Sequence, residues 1–166
     1  VRNRLYRAAG ERIVDLTQKR GQEILAVCTG NTCRSPMAEG ILREMARQAE
    51  REIRASSAGL YADGAPVSAH AAAALAEKGI DISGHRARQL TPDMARSADL
   101  ILTMTGAHRQ MLAAALPDAA DKVFTLAQWA GEEGDVLDPF GGSLEQYRAC
   151  RDQIWELLRK GWERNL

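Results

Sequence analysis

Cysteine is scarce in this chain: Cys28, Cys33 and Cys150 are the three thiols among 166 residues. So small and odd a set builds no disulfide framework and suits a reducing compartment, so the expected location is the cytoplasm. None of the three stands in a zinc spacing with a histidine, and no metal is expected. Charge of one sign is missing too, since 22 Lys and Arg balance 22 Asp and Glu. Without a basic field, neither nucleic acid nor an anionic membrane is an expected partner. No stretch nears the roughly 20 apolar residues of a spanning helix, and the N-terminus lacks the apolar core of a secretory signal. Internal repeats and low-complexity linkers are also absent. The length of 166 residues fits one domain with room for a real core.

What the chain does have is an alternation of elements. Residues 23–28 (EILAVC) read as a short buried strand, and 53–59 (IRASSAG), 98–104 (ADLILTM) and 122–126 (KVFTL) as three more. Residues 35–50 read as a helix, with Pro36 at a first helical position and Met37, Ile41, Met45 and Ala49 on one face. Residues 67–78 are alanine-rich and helical, closed by Gly79 where a C-terminal cap belongs. A helix-like TPDMARS (91–97) and a helix over 107–116 bracket the third strand. Ser143 with Gln146 three residues on is a capping box for a last helix carrying Ile154, Leu157, Leu158 and Trp162. Strands alternating with helices predict a parallel sheet covered on both faces, with ligands beyond the carboxyl ends of the strands. Residues 1–22 form an extension outside the domain of residues 23–166. Leu5, Ile13 and Leu16 fall at spacings a docking helix could use, but a mobile tail is the favoured reading.

The loop CTGNTCRSP leaves the first strand at Cys28 and enters the helix at Arg34. Backbone N–H groups around such a turn make an anion-sized nest, reinforced by the positive end of the following helix. Gly30 and Asn31 tolerate the backbone angles that the turn needs. Arg34 offers a planar fork matched to two phosphate oxygens. Everything that binds phosphate there also favours a thiolate on Cys28. The loop therefore holds a tetrahedral oxyanion over a nucleophile. It is not a nucleotide-binding loop, because no Gly-Lys-Ser/Thr follows. A cysteinyl-phosphate pathway needs an acid for the leaving group and a base for water. Asp138 in VLDPFGG is the candidate; an isolated Asp-Pro is as often a turn former, and the cysteine loop tips the reading. Asp135 reads as a turn or loop residue.

These stretches, VCTGNTCRSPMAE, SSAG, GHRARQLT, SADLILTMT and DVLDPFGG, resemble the low-molecular-weight protein tyrosine phosphatase family in order along the chain. The resemblance implies an α/β three-layer sandwich with a four-stranded parallel sheet flanked by helices, and a cytoplasmic enzyme working without metal or other cofactor. It implies Cys28 as nucleophile, Arg34 as phosphate ligand and Asp138 as general acid, with Thr29, Gly30, Asn31, Thr32, Cys33 and Ser35 completing the phosphate loop. Ser35 resembles the hydroxyl that stabilises the thiolate, and Asn31 the residue that shapes the loop. Tyrosine phosphatases of the family usually carry a bulky aliphatic residue at the position of Thr32 and paired aromatics after the Asp-Pro. Thr32 and the single Phe140 before two glycines instead resemble the bacterial branch that removes phosphate from arginine. A threonine is a slimmer, polar wall suited to a guanidinium stem, and Phe140 can stack on its plane. The expected partners are arginine-phosphorylated proteins and the expected state is a monomer; a tyrosine phosphatase is the runner-up.

Arsenate reductases share this fold but relay oxidation to further cysteines; residues 66–96 hold none, and Cys150 lies past the acid loop. A non-catalytic phosphate-binding module would be expected to lose Cys28 or Asp138, and both are present. Cys33 reads either as a loop residue packed on the core or as the partner that resolves an oxidised Cys28. His70, His85 and His108 have no metal spacing and default to capping, core or surface roles. Trp155 and Trp162 read as packing and surface residues of the last helix.

Overall fold

A computed structural model describes residues 5–8, 12–15 and 22–166. Near the start, β1 (Leu5–Ala8) and β2 (Arg12–Asp15) pair antiparallel with Leu5 opposite Asp15, although the apolar spacing there is one a helix could use. The other residues before Gln22 lie outside the described residues, and with them the question of a mobile tail.

The main sheet holds β3 (Gln22–Cys28), β4 (Ile53–Gly59), β5 (Leu100–Thr103) and β6 (Val123–Thr125), all parallel, in the order β4-β3-β5-β6. All four strands stand where the apolar runs place them. The chain winds from β3 to β4 on one side and then crosses to β5 on the other. The winding thus reverses beside β3, and a crevice opens beyond its carboxyl end. Cys28 is the residue at that end.

The helices are α1 (Arg34–Ala49), α2 (Ala69–Ala76), α3 (Pro92–Ser97), α4 (Gly106–Ala115), α5 (Leu126–Trp129) and α6 (Leu144–Asn165). Alternate residues of the strands feed two layers of packing, as a period of two requires. Ile24, Ala26, Leu100, Leu102 and Phe124 bury against Met37 and Ile41 of α1 and Ile154 and Leu158 of α6. Leu25, Val27, Ile101 and Val123 bury on the opposite face with Ala95 of α3 and Leu112 of α4. Two covered faces make the expected three-layer sandwich. Each fully buried Leu or Ile stabilises it by about 1.5–3 kcal/mol.

Local chemistry sets the ends of the helices. Thr91 accepts Met94 N–H before α3, Thr105 accepts His108 N–H before α4, and Ser143 and Gln146 close a reciprocal capping box before α6. The alanine-rich helix is shorter than its composition suggests, and Gly79 follows with φ +76°. A short α5 takes over at Leu126, the last residue of the apolar run, because Thr125 and Gln128 form another capping box. At α1 the N-cap residue is Cys33, whose side chain makes no cap bond. Its first-turn N–H groups are left for an anion.

Candidate active site

Cys28 ends β3, residues 29–33 form the loop, and Arg34 opens α1. The loop's carbonyls are turned outward onto fixed donors. Leu60 N–H bonds the Cys28 carbonyl at 3.0 Å, Tyr61 N–H that of Thr29 at 2.8 Å and Ser68 N–H that of Thr32 at 2.9 Å. His85 Nε2–H donates to the Asn31 carbonyl at 3.0 Å. In a trans peptide unit the C=O and N–H point opposite ways. The N–H groups of Thr29, Gly30, Thr32 and Cys33 are therefore turned toward the loop's centre, which is the nest an oxyanion needs.

Asn31 is the keystone of that turn. It is fully buried and left-handed, with φ 59°. Its amide donates to Ser35 Oγ at 2.8 Å and Ser57 Oγ at 3.0 Å, and its side-chain oxygen accepts Arg88 N–H at 2.9 Å. Ser57 in turn donates to Glu39 Oε1. Because Ser35 Oγ already accepts from Asn31, its own O–H is free for Cys28 Sγ, 2.9 Å away. Gly59 makes the fit possible: a Cβ there would sit 2.7 Å from the Thr29 carbonyl oxygen and 3.1 Å from Asn31 Cβ.

The acid loop meets this constellation through Arg34. The buried Arg34 guanidinium donates to the Val136 carbonyl at 2.8 Å and lies 3.6 Å from Asp138 Oδ2. The Asp138 side chain is half exposed, and its other oxygen accepts Phe140 N–H at 3.0 Å. Pro139 is buried, while Leu137 and Phe140 project outward as an apolar rim. Cys28, Thr29, Gly30, Thr32, Cys33, Arg34, Asp138 and Phe140 line one cavity of about 180 Å³. Asn31 and Ser35 stand behind its wall, where they shape the loop. Asp135 ties the same segment to α4 by accepting Gly106 N–H at 2.9 Å. Among the described residues, no group of three His, Cys, Asp or Glu is placed to hold a metal ion.

Three groups in the site carry no role that the sequence alone assigns. His108 Nε2 lies 2.8 Å from Thr29 Oγ1, with its ring buried. Burial, and then the Arg34 charge, push His108 down to about 4, so it is neutral at neutral pH. His85 and Ser57 hold Asn31 as described. The SSAG stretch marks Ser57 and Gly59 in advance and GHRARQLT marks His85, but neither names a partner, and His85 and His108 find theirs 54 and 79 residues away. His70 instead packs edge-on against the Tyr147 ring at 5.4 Å. Cys33 Sγ lies 3.2 Å from Tyr147 Oη. Burial, with the bond to Cys33, pushes the Tyr147 hydroxyl up to about 12. Burial likewise pushes the Cys150 thiol up to about 12. Trp155 and Trp162 are half-buried against the core, as the sequence leads one to expect.

This geometry has counterparts among known proteins. Residues 23–164 match the family model described as low molecular weight phosphotyrosine protein phosphatase. A protein-arginine-phosphatase of Bacillus subtilis is 45% identical over 140 residues, 83% of this chain and 93% of that protein. A solved structure of the arginine phosphatase YwlE, in a mutant with a phosphorylated active-site serine, superposes with a TM-score of 0.82 at 43% identity, over 86% of this chain and 95% of that one. A structure of a low molecular weight protein tyrosine phosphatase from T. tengcongensis gives 0.83 at 42% identity, over 86% and 98%. The match runs from β3 almost to the end of α6, through the cysteine loop and the acid loop alike. The chain belongs to the low molecular weight phosphotyrosine protein phosphatase family.

Proposed function

We propose that this phosphatase acts on phosphoarginine in proteins, through a cysteinyl-phosphate intermediate. The observation that carries the reading is Thr32 on the wall of the same small cavity as Cys28 and Arg34. A bulky aliphatic group there would pack on a phenyl ring, whereas a hydroxyl-bearing wall suits a guanidinium stem. Phe140 lines the same cavity and is exposed at its rim, and in this reading it stacks on the guanidinium plane. The likeness to the Bacillus subtilis protein-arginine-phosphatase supports the same substrate.

In this reading Cys28 attacks phosphorus while Arg34 and the loop N–H groups hold the equatorial oxygens. The Ser35 hydroxyl steadies the thiolate before attack and after release. The N–P bond breaks and its electron pair goes to nitrogen. A phosphorylated guanidinium already carries positive charge, so the group departs as a neutral guanidine, and Asp138 chiefly orients it by paired hydrogen bonds. A phenolate would instead need a proton from Asp138. Asp138 then takes a proton from water as oxygen attacks phosphorus, and the S–P bond returns its pair to Cys28.

Every group in this sequence of steps comes from one chain, so a monomer suffices for catalysis. Free thiols suit a reducing cytoplasm. Among the described residues, no helix is long and apolar enough to cross a membrane. Cys33 lines the cavity beside Cys28 and also packs in the core; where a peroxide oxidises the Cys28 thiol to a sulfenic acid, itself reduced to water, condensation with the Cys33 thiol forms a disulfide and releases a second water. An arsenate-reductase relay through Cys150 is disfavoured by its buried, high-lying thiol.

The test is Thr32→Ile, assayed on phosphoarginine and phosphotyrosine peptides. A wall worth ~1–3 kcal/mol shifts the ratio of the two kcat/KM values toward phosphotyrosine by about 10- to 200-fold. An unchanged ratio would remove Thr32 as the basis of the choice.

A further inference from the structure

A second cavity, of about 590 Å³, opens against the edge strand β4, between α1 and the segment around His85, and shares no residue with the catalytic cavity. Four arginines, Arg43, Arg54, Arg86 and Arg88, line it with two carboxylates, Glu23 and Glu39. In a chain of zero net charge, two positive charges are thus left in excess at one place. Two of the guanidinium groups are aimed by the backbone. Arg43 Nε donates to the Ala55 carbonyl at 3.1 Å and Arg88 Nε to the Ser57 carbonyl at 2.9 Å.

Covering the open edge of β4 accounts for those two Nε bonds. It does not account for the rest. Arg43 is paired with Glu39 at 2.6 Å and Arg54 with Glu23 at 3.1 Å. The terminal nitrogens of Arg88 and the whole Arg86 guanidinium have no hydrogen bond or ion pair among the described residues. Guanidinium groups from α1, β4 and the His85 segment line this one cavity, and the forks of Arg86 and Arg88 have donors left for phosphate oxygens. The space is about three times that of the catalytic cavity, which in the proposed reaction takes a single phosphoryl group.

We propose that this cavity is a second oxyanion site, which takes a small ligand with two or more adjacent phosphate groups. Free oligophosphate and the phosphate tail of a nucleotide share that chemistry. The site borders the supports of the catalytic loop: His85, in its lining, holds the Asn31 carbonyl, and Glu39 accepts from Ser57. It does not depend on whether the substrate is phosphoarginine.

The test is calorimetric titration of the full chain with pyrophosphate after a single equivalent of orthovanadate, held by bonding to Cys28 Sγ, has filled the catalytic loop. One pyrophosphate should bind per chain. The double variant Arg54→Gln/Arg86→Gln, changed only at exposed side chains, should bind it about tenfold or more weakly, since each guanidinium removed takes its charge-assisted hydrogen bonds to phosphate with it. Its kcat/KM on p-nitrophenyl phosphate should stay within about twofold of the parent. In a parallel titration, ADP competing with pyrophosphate assigns the site to nucleotide tails, and ADP failing to compete assigns it to free oligophosphate. No binding in the presence of vanadate, or equal affinity in the double variant, would overturn the proposal.

Discussion

Gly59→Ala puts one methyl group against the back of the catalytic loop. The new Cβ would lie 2.7 Å from the Thr29 carbonyl oxygen, against 3.4 Å for ordinary contact, so that oxygen must retreat by about 0.7 Å. The neighbour is backbone, already bonded to Tyr61 N–H at 2.8 Å, and Asn31 Cβ at 3.1 Å closes the other side. Neither can swing away as a side-chain end would. Overpacking of this kind costs about 1–3 kcal/mol of stability. The peptide unit that must move also carries the Gly30 N–H of the oxyanion nest, and a displacement near 1 Å in a reacting site costs about 10²-fold. We therefore expect a lower urea midpoint and a 10- to 100-fold fall in kcat/KM on a phosphoarginine peptide, roughly in proportion to that shift. Gly84→Ala is the matched control, because its Cβ meets nothing within 4 Å. A Gly59→Ala enzyme within twofold of the parent would refute the claim that this close approach sets the loop.

Three further outcomes follow from the same geometry. Ser35→Ala removes the hydroxyl 2.9 Å from Cys28 Sγ; a hydrogen bond to a charged group is worth about 1.5–3 kcal/mol, so kcat should fall roughly 10- to 150-fold, and an unchanged kcat would contradict that role. His108 is neutral in the fold down to about 4, whereas in the unfolded chain it titrates near 6.5. Between those values only the unfolded chain takes up the proton, so this contribution is full above about pH 6.5 and is lost as pH falls toward 4. His108→Gln should flatten the dependence of the urea midpoint over that window, and an undiminished slope would assign it to other groups. Mild peroxide followed by mass spectrometry should yield a Cys28–Cys33 disulfide with Cys150 unmodified, and overoxidised Cys28 without that disulfide would reject the resolving role of Cys33.

Features set by neighbouring residues are legible in the sequence. Apolar runs place all four strands of the main sheet, and Ser143 with Gln146 places the start of α6, because strand burial and capping are read over a few positions. Cys28 to Ser35 lie within eight residues, so the loop's chemistry is visible before its shape. The supports of the loop are not. Ser57, His85, Arg88 and His108 reach Asn31 or Thr29 across 26 to 79 residues, and only the β4-β3-β5 order brings them together. Arg34 has a phosphate role by its type, but its hold on the Val136 carbonyl depends on where the acid loop folds back. The arginine cavity escapes a sequence reading for the same reason, since its four guanidinium groups come from three separate elements.

Selection of phosphoarginine rests on the cavity over Cys28 that Thr32 walls. Its most direct test is kcat/KM of the unmodified enzyme on paired peptides that differ only in carrying phosphoarginine or phosphotyrosine. A preference for phosphoarginine of about tenfold or more is expected. A preference for phosphotyrosine would contradict it.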